Sequence, residues 1–483
     1  MSLKKKSISG IGWNLTEKII SSGSSFVIGI ILARILSPED FGLIGMTTVI
    51  FAFANTFVDG GLSIGLIRKT KCTALDYDTV FIYNVCLSVV IYLLLAFFAP
   101  YIALFFNEGM LVDLIRVLAL VILINSFSIV QIAILSRRID FKKQTIASVV
   151  GSLVSGVFGI FLAYQGFGVW SLVYQILLRQ FIYAMLIWMF AEWRPSFSFS
   201  VVAFKEQFKF SNKILLSNLI ATFQYNIYYL VLGKFFSPSS LGYFTRAEQF
   251  NAMVTTNLST AFSKVLFPAL ASIKYQEDLM LLNIKKISRM TFFVSFLLLT
   301  GLASVAKPLI HILLGARWET SILYLQLLCI SSIFLPLNLT NLNILNIKGR
   351  SDLVLKLQVI KIVLLVPSIL GAIYFGVVTM LVVRIFMVII ATYVNSSYSG
   401  RLVKYSVKEQ MYDIAPYLLS CSVVAGSTFL WSLTSLTYSL MLVVQVFTFL
   451  LVFLLVFELQ NLDEYVELKR ISLSFIKGHR NKV

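Results

Sequence analysis

Five basic side chains, Lys18, Arg34, Lys213, Lys234 and Arg246, fall within or beside long apolar stretches of the chain. Fixed positive charge in a low-dielectric wall attracts anions strongly, and Lys and Arg match the oxygens of phosphate. Asn218, Gln224 and Tyr225 follow Lys213 on the same stretch and offer amide and hydroxyl partners to a polar ligand. Tyr225, with Trp13, Tyr228 and Tyr229, also has a ring face on which a sugar packs, although a core or interfacial role is the commoner use of such rings. The acids nearby are fewer. Glu17, Asp59 and Glu248 are the candidates for carrying H+ or Na+. Arg246 and Glu248 are two residues apart, a spacing at which side chains do not face each other on a helix, so each needs another partner.

Several chemistries find no support. There is no paired-carboxylate or nucleophile motif, so an enzyme such as a membrane glycan polymerase is disfavoured. The absence of a GxxxxGK[ST] loop disfavours an ATP-driven pump within this chain. Cys72, Cys86, Cys329 and Cys421 are scattered without a CxxC pair and read as reduced packing residues, not a metal or redox site. No bound cofactor is expected.

The elements that must position these residues follow from composition. Of 483 residues, 58% are hydrophobic and 13% charged, against about 45–50% and about 25% in soluble domains. About 20 consecutive apolar residues span the hydrocarbon core as a helix. The runs are long and continuous, unlike the alternating ten-residue segments of a barrel. An all-α integral membrane protein of about fourteen helices is therefore expected. The helices lie near 11–36, 42–66, 80–106, 112–135, 144–164, 168–191, 209–236, 241–267, 287–314, 320–346, 354–375, 379–400, 412–433 and 437–457. The basic segment Met1–Lys6 precedes a stretch with no small-residue cleavage site, which is kept as the first helix.

Lys and Arg in the short connections set the orientation. With the N-terminus inside, every inside segment holds three or more of them, while the outside loops hold Arg317 alone. Both termini are then cytoplasmic, in a bacterial cytoplasmic (inner) membrane. The net charge of +18 reads as this inner face and not as a nucleic-acid surface. The connections are too short for a folded catalytic or nucleotide-binding domain.

An internal repeat orders the helices. In 32–42 (LARILSPEDFG) and 232–242 (LGKFFSPSSLG), Leu32, Ser37, Pro38 and Gly42 match Leu232, Ser237, Pro238 and Gly242. Six helices separate the two, so the halves run parallel about an axis along the membrane normal. The expected division is an N-terminal six-helix bundle over 1–191, a linker over 192–208, a second six-helix bundle over 209–400, two further helices over 401–457 and a basic tail over 458–483. The first helix of each half is unusually polar (Asn14 to Ser25, and Ser211 to Asn226). Polar residues in spans face protein or a wet cavity, and matching oddities in two halves point to a substrate path. Arg179 and Arg384 lie deep in their spans, whereas Arg116, Lys264 and Lys307 sit near helix ends and read as snorkelling residues.

The stretches Ser2 to Gly10 (SLKKKSISG), Leu32 to Leu43 (LARILSPEDFGL), Arg138 to Phe141 (RIDF), Val265 to Ile273 (VLFPALASI) and Leu314 to Ile330 (LGARWETSILYLQLLCI) carry a resemblance that spans most of the chain. It resembles the Wzx-type polysaccharide flippases of the multidrug/oligosaccharidyl-lipid/polysaccharide exporter superfamily, closest to the colanic-acid and teichuronic-acid exporter branch. The resemblance implies two six-helix bundles forming a V, two extra C-terminal helices that form a groove for a lipid tail, and alternating access. The implied cargo is an undecaprenyl-pyrophosphate-linked oligosaccharide, moved to the outer leaflet for surface polysaccharide synthesis. A polysaccharide polymerase and chain-length machinery are the implied protein partners. By position, Lys18, Arg34, Lys213, Lys234 and Arg246 match that family's cationic cavity. The alternative is an ion-coupled drug or cation antiporter of the same superfamily, for which acidic cavity groups such as Glu17, Asp59 and Glu248 would matter more.

Overall fold

The computed structural model describes residues 20–69, 71–273, 276–467 and 469–470. In order, the helices are α1 (Ile20–Ile35), α2 (Pro38–Asp59), α3 (Leu62–Arg68), α4 (Ala74–Phe106), α5 (Leu111–Leu118), α6 (Leu120–Arg137), α7 (Phe141–Tyr164), α8 (Val169–Phe190) and α9 (Val201–Phe235). They continue with α10 (Pro238–Ser272), α11 (Glu277–Ser304), α12 (Ala306–Leu313), α13 (Thr320–Ser332), α14 (Leu335–Ile347), α15 (Ser351–Phe375), α16 (Val377–Val403), α17 (Val407–Phe429) and α18 (Tyr438–Gln460). No strand occurs among the described residues. Among the described residues, twelve helical spans are long and apolar enough to cross a membrane. With the shorter α1 and the more polar α10, the fold is the all-α membrane protein of about fourteen helices read from the sequence.

Two differences from the sequence reading have physical causes. Helices begin earlier than their apolar cores. α4 starts at Ala74 because Thr73 and Asp76 form a reciprocal capping box that holds the polar first turn in helix; α17 begins the same way with Ser406 and Glu409. In addition, some spans are jointed. Gly60 and Gly61 both take positive φ, 54° and 72°, which separates α2 from α3, because only glycine adopts that conformation cheaply. The expected break at Gly376 is present, with φ 94°.

The chain forms two compact units, residues 1–242 and 243–483. In the first, α9 packs along α2, α3 and α4. α7 and α8 form a tight hairpin in which Gly151 and Gly159 lie against the Arg179 backbone and the Gln175 side chain, the close approach that small residues permit in lipid. Asn125 Nδ2 donates to Asn55 Oδ1 (3.0 Å) and Gln180 Nε2 to Asn125 Oδ1 (3.1 Å), which ties α2, α6 and α8 together. At the basic end, Lys69 Nζ pairs with Glu206 (2.9 Å) and Asp76 (3.0 Å); these hydrogen bonds, led by Glu206, hold its ammonium above the usual lysine range. The 192–200 connection is pinned where Asp78 accepts from the Ser196 backbone N–H (3.0 Å) and hydroxyl.

The two copies of the repeated motif meet inside this unit. Ser37 caps α2 with Pro38 at the first helical position and Asp40 completing the capping box. Ser237 caps α10 by accepting from Ser240 N–H (3.3 Å). A Cβ at Gly42 would sit 1.8 Å from the Pro238 carbonyl oxygen, and one at Gly242 would sit 1.8 Å from that of Pro38. The contact is reciprocal, as a two-fold related pair requires.

In the second unit the amides form a longer ladder. Asn338 Nδ2 donates to Thr392 Oγ1 (2.9 Å) and Asn395 Nδ2 to Asn338 Oδ1 (2.5 Å). Asn341 donates to Ser396 Oγ (2.9 Å) and Gln410 Oε1 (3.2 Å), and accepts from Ser399 Oγ (2.8 Å). These bonds join α14, α16 and α17. α18 presents mostly apolar, exposed side chains but anchors one edge on α11, where Phe293 packs with Phe453, Phe457 and Tyr417. Beyond α18, the buried Glu464 pairs with Arg289 (3.0 Å) and accepts from the Tyr417 hydroxyl.

Two outcomes are expected in the thermal unfolding of purified protein. Gly42→Ala or Gly242→Ala forces backbone apart and costs about 1–3 kcal/mol, lowering the unfolding midpoint, while Gly23→Ala, which meets nothing within 4 Å, leaves it unchanged. Asn341→Leu takes the donor from Gln410 Oε1 and the acceptor from Ser399 Oγ and costs about 1–3 kcal/mol; an unchanged midpoint would remove the ladder from the stabilising interactions.

Candidate functional site

The sequence-predicted residues fall into three groups. Glu17 and Lys18 lie outside the described residues. Arg34, Asp59, Lys213, Asn218, Gln224, Tyr225 and Lys234 belong to the first unit, and Arg246 and Glu248 to the second.

In the first unit, Arg34 is exposed at the penultimate position of α1. Asp59 is half-buried at the last position of α2. Two residues on, Gly61 packs against Ile214 and the Ser211 carbonyl, and Ser211 Oγ donates to the Gly61 carbonyl (3.1 Å). This contact places the end of α2 at the level of Lys213, with no ion pair between Asp59 and Lys213 among the described residues. Further along, the Thr56 and Thr222 hydroxyls share a hydrogen bond (3.1 Å). The polar residues of α9 therefore divide. Ser211 and Thr222 seal α9 onto α2. Lys213, Ser217 and Tyr225 recur at fourfold spacing on an exposed stripe, and Asn218 and Gln224 are half-buried at its margins. Tyr225 is 81% exposed, an unusual state for a ring inside a packed bundle.

Lys234 is engaged locally. Its Nζ donates to the Phe105 carbonyl (2.6 Å) and lies 4.8 Å from the Phe105 ring centre. It thus caps the C-terminal end of α4, where a cation complements the helix dipole. Arg116 and Lys307 act similarly, toward the carbonyls of Ala96 (3.4 Å) and Ser432 (2.7 Å). Arg179 differs. It sits halfway along the apolar span Val169–Phe190, its side chain is exposed, and no ion pair holds it among the described residues.

In the second unit, the separate partners expected of Arg246 and Glu248 are found. Arg246 is buried and its guanidinium donates to the Gln249 side chain. Glu248 interacts with Asn251 one turn on and faces Arg384 of α16. The residues that sequence reading missed are the amides Asn55, Asn125, Gln180, Asn338, Asn341 and Asn395. Isolated amides in apolar runs carry no periodic signal, although Asn55 and Thr255 share the offset of the Ser-Pro repeat.

The chain is similar to known proteins in sequence and in fold. Residues 31–323, more than half of the chain, match the model of a family described as "Polysaccharide biosynthesis protein". The chain is 26% identical to the lipopolysaccharide biosynthesis protein WzxC of Escherichia coli K12, covering 76% of this chain and 75% of that one. It is 26% identical to the teichuronic acid biosynthesis protein TuaB of Bacillus subtilis 168, covering 73% of each. In fold it is similar to the lipid II flippase MurJ in an inward closed conformation, with a TM-score of 0.73, 14% identity, and 93% of this chain and 98% of that chain covered. A multidrug resistance MATE transporter in an inward-facing conformation gives a TM-score of 0.56 at 16% identity, over 80% of this chain and 94% of that one. With a family match over most of its spans and the same all-α membrane fold in its structural neighbours, the chain belongs to the polysaccharide biosynthesis protein family.

Proposed function

We propose that this multi-pass membrane protein carries lipid-linked oligosaccharide repeat units from the inner to the outer leaflet of the bacterial cytoplasmic membrane, with both termini cytoplasmic. It acts as a carrier and not as an enzyme, in company with a polysaccharide polymerase. The observation that carries the reading is the exposed Arg179 halfway along an apolar span, in a chain of this family. A charge at mid-bilayer costs about 2.5–3.5 kcal/mol or more against lipid, so such residues face protein or a water-filled path. An exposed guanidinium on such a path is an anion site, and its planar fork suits a phosphate. Arg34 and the Lys213–Ser217–Tyr225 stripe of α9 extend the same chemistry: cations for the pyrophosphate, a ring and hydroxyls for sugar. The names of WzxC, TuaB and MurJ support this direction of reading, and the basic surplus favours an anionic cargo over the cations of an antiporter.

In cells whose surface polymer depends on this chain, replacing Arg34, Arg179 and Lys213 together by Ala should cut polymer output by about tenfold or more, as loss of roughly 1.4 kcal/mol of cargo binding requires. The variant should remain at normal levels in the membrane. Full output from the triple variant would refute the reading, and drug resistance on overexpression without any change in polymer would favour the antiporter. Lys234→Ala should behave differently. It removes the cap on α4 at a cost of about 0.3–1 kcal/mol and lowers the unfolding midpoint, with output falling only as far as the amount of folded protein falls.

A further inference from the structure

The connection between α8 and α9 holds serine and phenylalanine in alternation, Ser196-Phe197-Ser198-Phe199-Ser200, and their contacts sort the two kinds. The serines bind the protein. Asp78 of α4 accepts from the Ser196 N–H (3.0 Å) and hydroxyl, and the Ser200 N–H donates to Thr79 Oγ1 (3.1 Å). Both acceptors are buried. These bonds bracket Phe197, whose backbone is held at φ 56°, a conformation that a bulky residue keeps only where its neighbours impose it. The rings are left outside. Phe197 is 74% exposed and Phe199 48%, and Val202, in the first turn of α9, is 78% exposed. Exposed apolar side chains grouped in this way mark a contact with a membrane or with another protein.

The depth of this loop in the bilayer decides between the two. α8 has 22 residues, a length of about 33 Å, which matches the ~30 Å hydrocarbon core. Its last turn therefore lies at one boundary of the hydrocarbon, the cytoplasmic one in the orientation proposed above. Trp188 in that turn meets Phe81 of α4, ring to ring at 6.1 Å. Asp78 and Thr79 precede Phe81 by three and two residues, about 3–5 Å nearer the cytoplasm. The pinned serines, and the rings between them, thus sit at the level of the lipid headgroups. The first turns of α9 supply the matching charge. Lys205 and Lys209 are exposed one turn apart, and no ion pair holds either among the described residues. Glu206 beside them is taken up by Lys69 (2.9 Å).

We propose that Phe197, Phe199 and Val202 insert into the inner leaflet while Lys205 and Lys209 meet the phosphates of anionic lipids. Rings and aliphatic side chains bury readily at the headgroup boundary, and basic residues are drawn to the anionic cytoplasmic leaflet. The loop then anchors the turns of α9 that precede its apolar span, which begins at Ser211. The inference uses the orientation given above and is independent of the cargo.

Fluorescence of Phe197→Trp, in the purified full-length chain in phosphatidylcholine nanodiscs, tests the depth; the six native tryptophans of the wild type are the background. The added emission should be quenched by phosphatidylcholine brominated near the headgroup end of its chains, and shielded from acrylamide in the water. Emission open to acrylamide and indifferent to the brominated lipid would overturn the anchor and leave the rings to a protein partner. If Phe197→Trp fails to fold, Phe199→Trp reports the same depth. The charge is tested by brominated phosphatidylglycerol as a minor component of the disc. It should quench the added emission more than the same share of brominated phosphatidylcholine. Lys205→Gln with Lys209→Gln should remove that preference, a loss of about fivefold in local lipid for each lysine, and leave the depth unchanged. A preference that survives both substitutions would overturn the role of the lysines. Hydrogen exchange reads the anchoring itself: Phe197→Ser should speed exchange of the 205–210 amides several-fold in discs and leave those of α6 unchanged. Equal exchange in wild type and variant would overturn the hold on α9. Surface-polymer output, which reads the carrier function, enters none of these measurements, so either conclusion can fail without the other.

Discussion

A polar group inside a membrane span has no water to turn to, and the architecture of both units follows from how that demand is met. In the first, the demand is met by the chain of amides Asn55, Asn125 and Gln180, which fixes the rotation of α2, α6 and α8 about their own axes. In the second it is met by Asn338 and Asn341 against α16 and α17. Apolar packing alone would not do this, because in lipid there is little hydrophobic preference for one helix face over another. An amide is different, since each wrong rotation leaves a donor and an acceptor stranded. The ladders therefore supply specificity more than raw stability. The demand is not met everywhere: among the described residues, buried atoms of Asn84, Gln131, Glu248 and Asn251 have no hydrogen-bond partner.

Much of this order can be read from the chain itself, for identifiable reasons. Helix number and approximate position follow from the hydropathy runs, because lipid imposes a minimum apolar length on every span. The weak point at Gly376 and the repeated Ser-Pro motif were legible because glycine and proline constrain backbone locally. What was illegible depends on contacts between residues distant in sequence. Nothing in Lys234 itself distinguishes a cap on α4 from a cargo ligand; that needs Phe105, which lies 129 residues away. The partners of Arg246 and Glu248 were predictable as a need but not by name, because one partner lies one turn along α10 and the other on α16. Helix starts were misjudged at α4 and α17, since a capped polar turn is helical without being apolar.

The repeat also shows how far the two halves have diverged in chemistry while keeping one geometry. Gly42 and Gly242 each press on the other motif's proline carbonyl, so neither tolerates a side chain, and both positions are held by the same steric limit. Six residues beyond each glycine that limit is gone. The position that carries Thr48 in the first copy carries Glu248 in the second, and Asn55 is answered by Thr255. Thr48 satisfies its hydroxyl on the Ile44 carbonyl (2.9 Å), a solution open to any helical hydroxyl and closed to a carboxylate, which has no donor when ionised. An acid at 248 therefore has to find a donor or a cation, or keep its proton. The scaffold occurs twice, and a difference at one of two equivalent positions gives one copy a titratable group where the other has a hydroxyl.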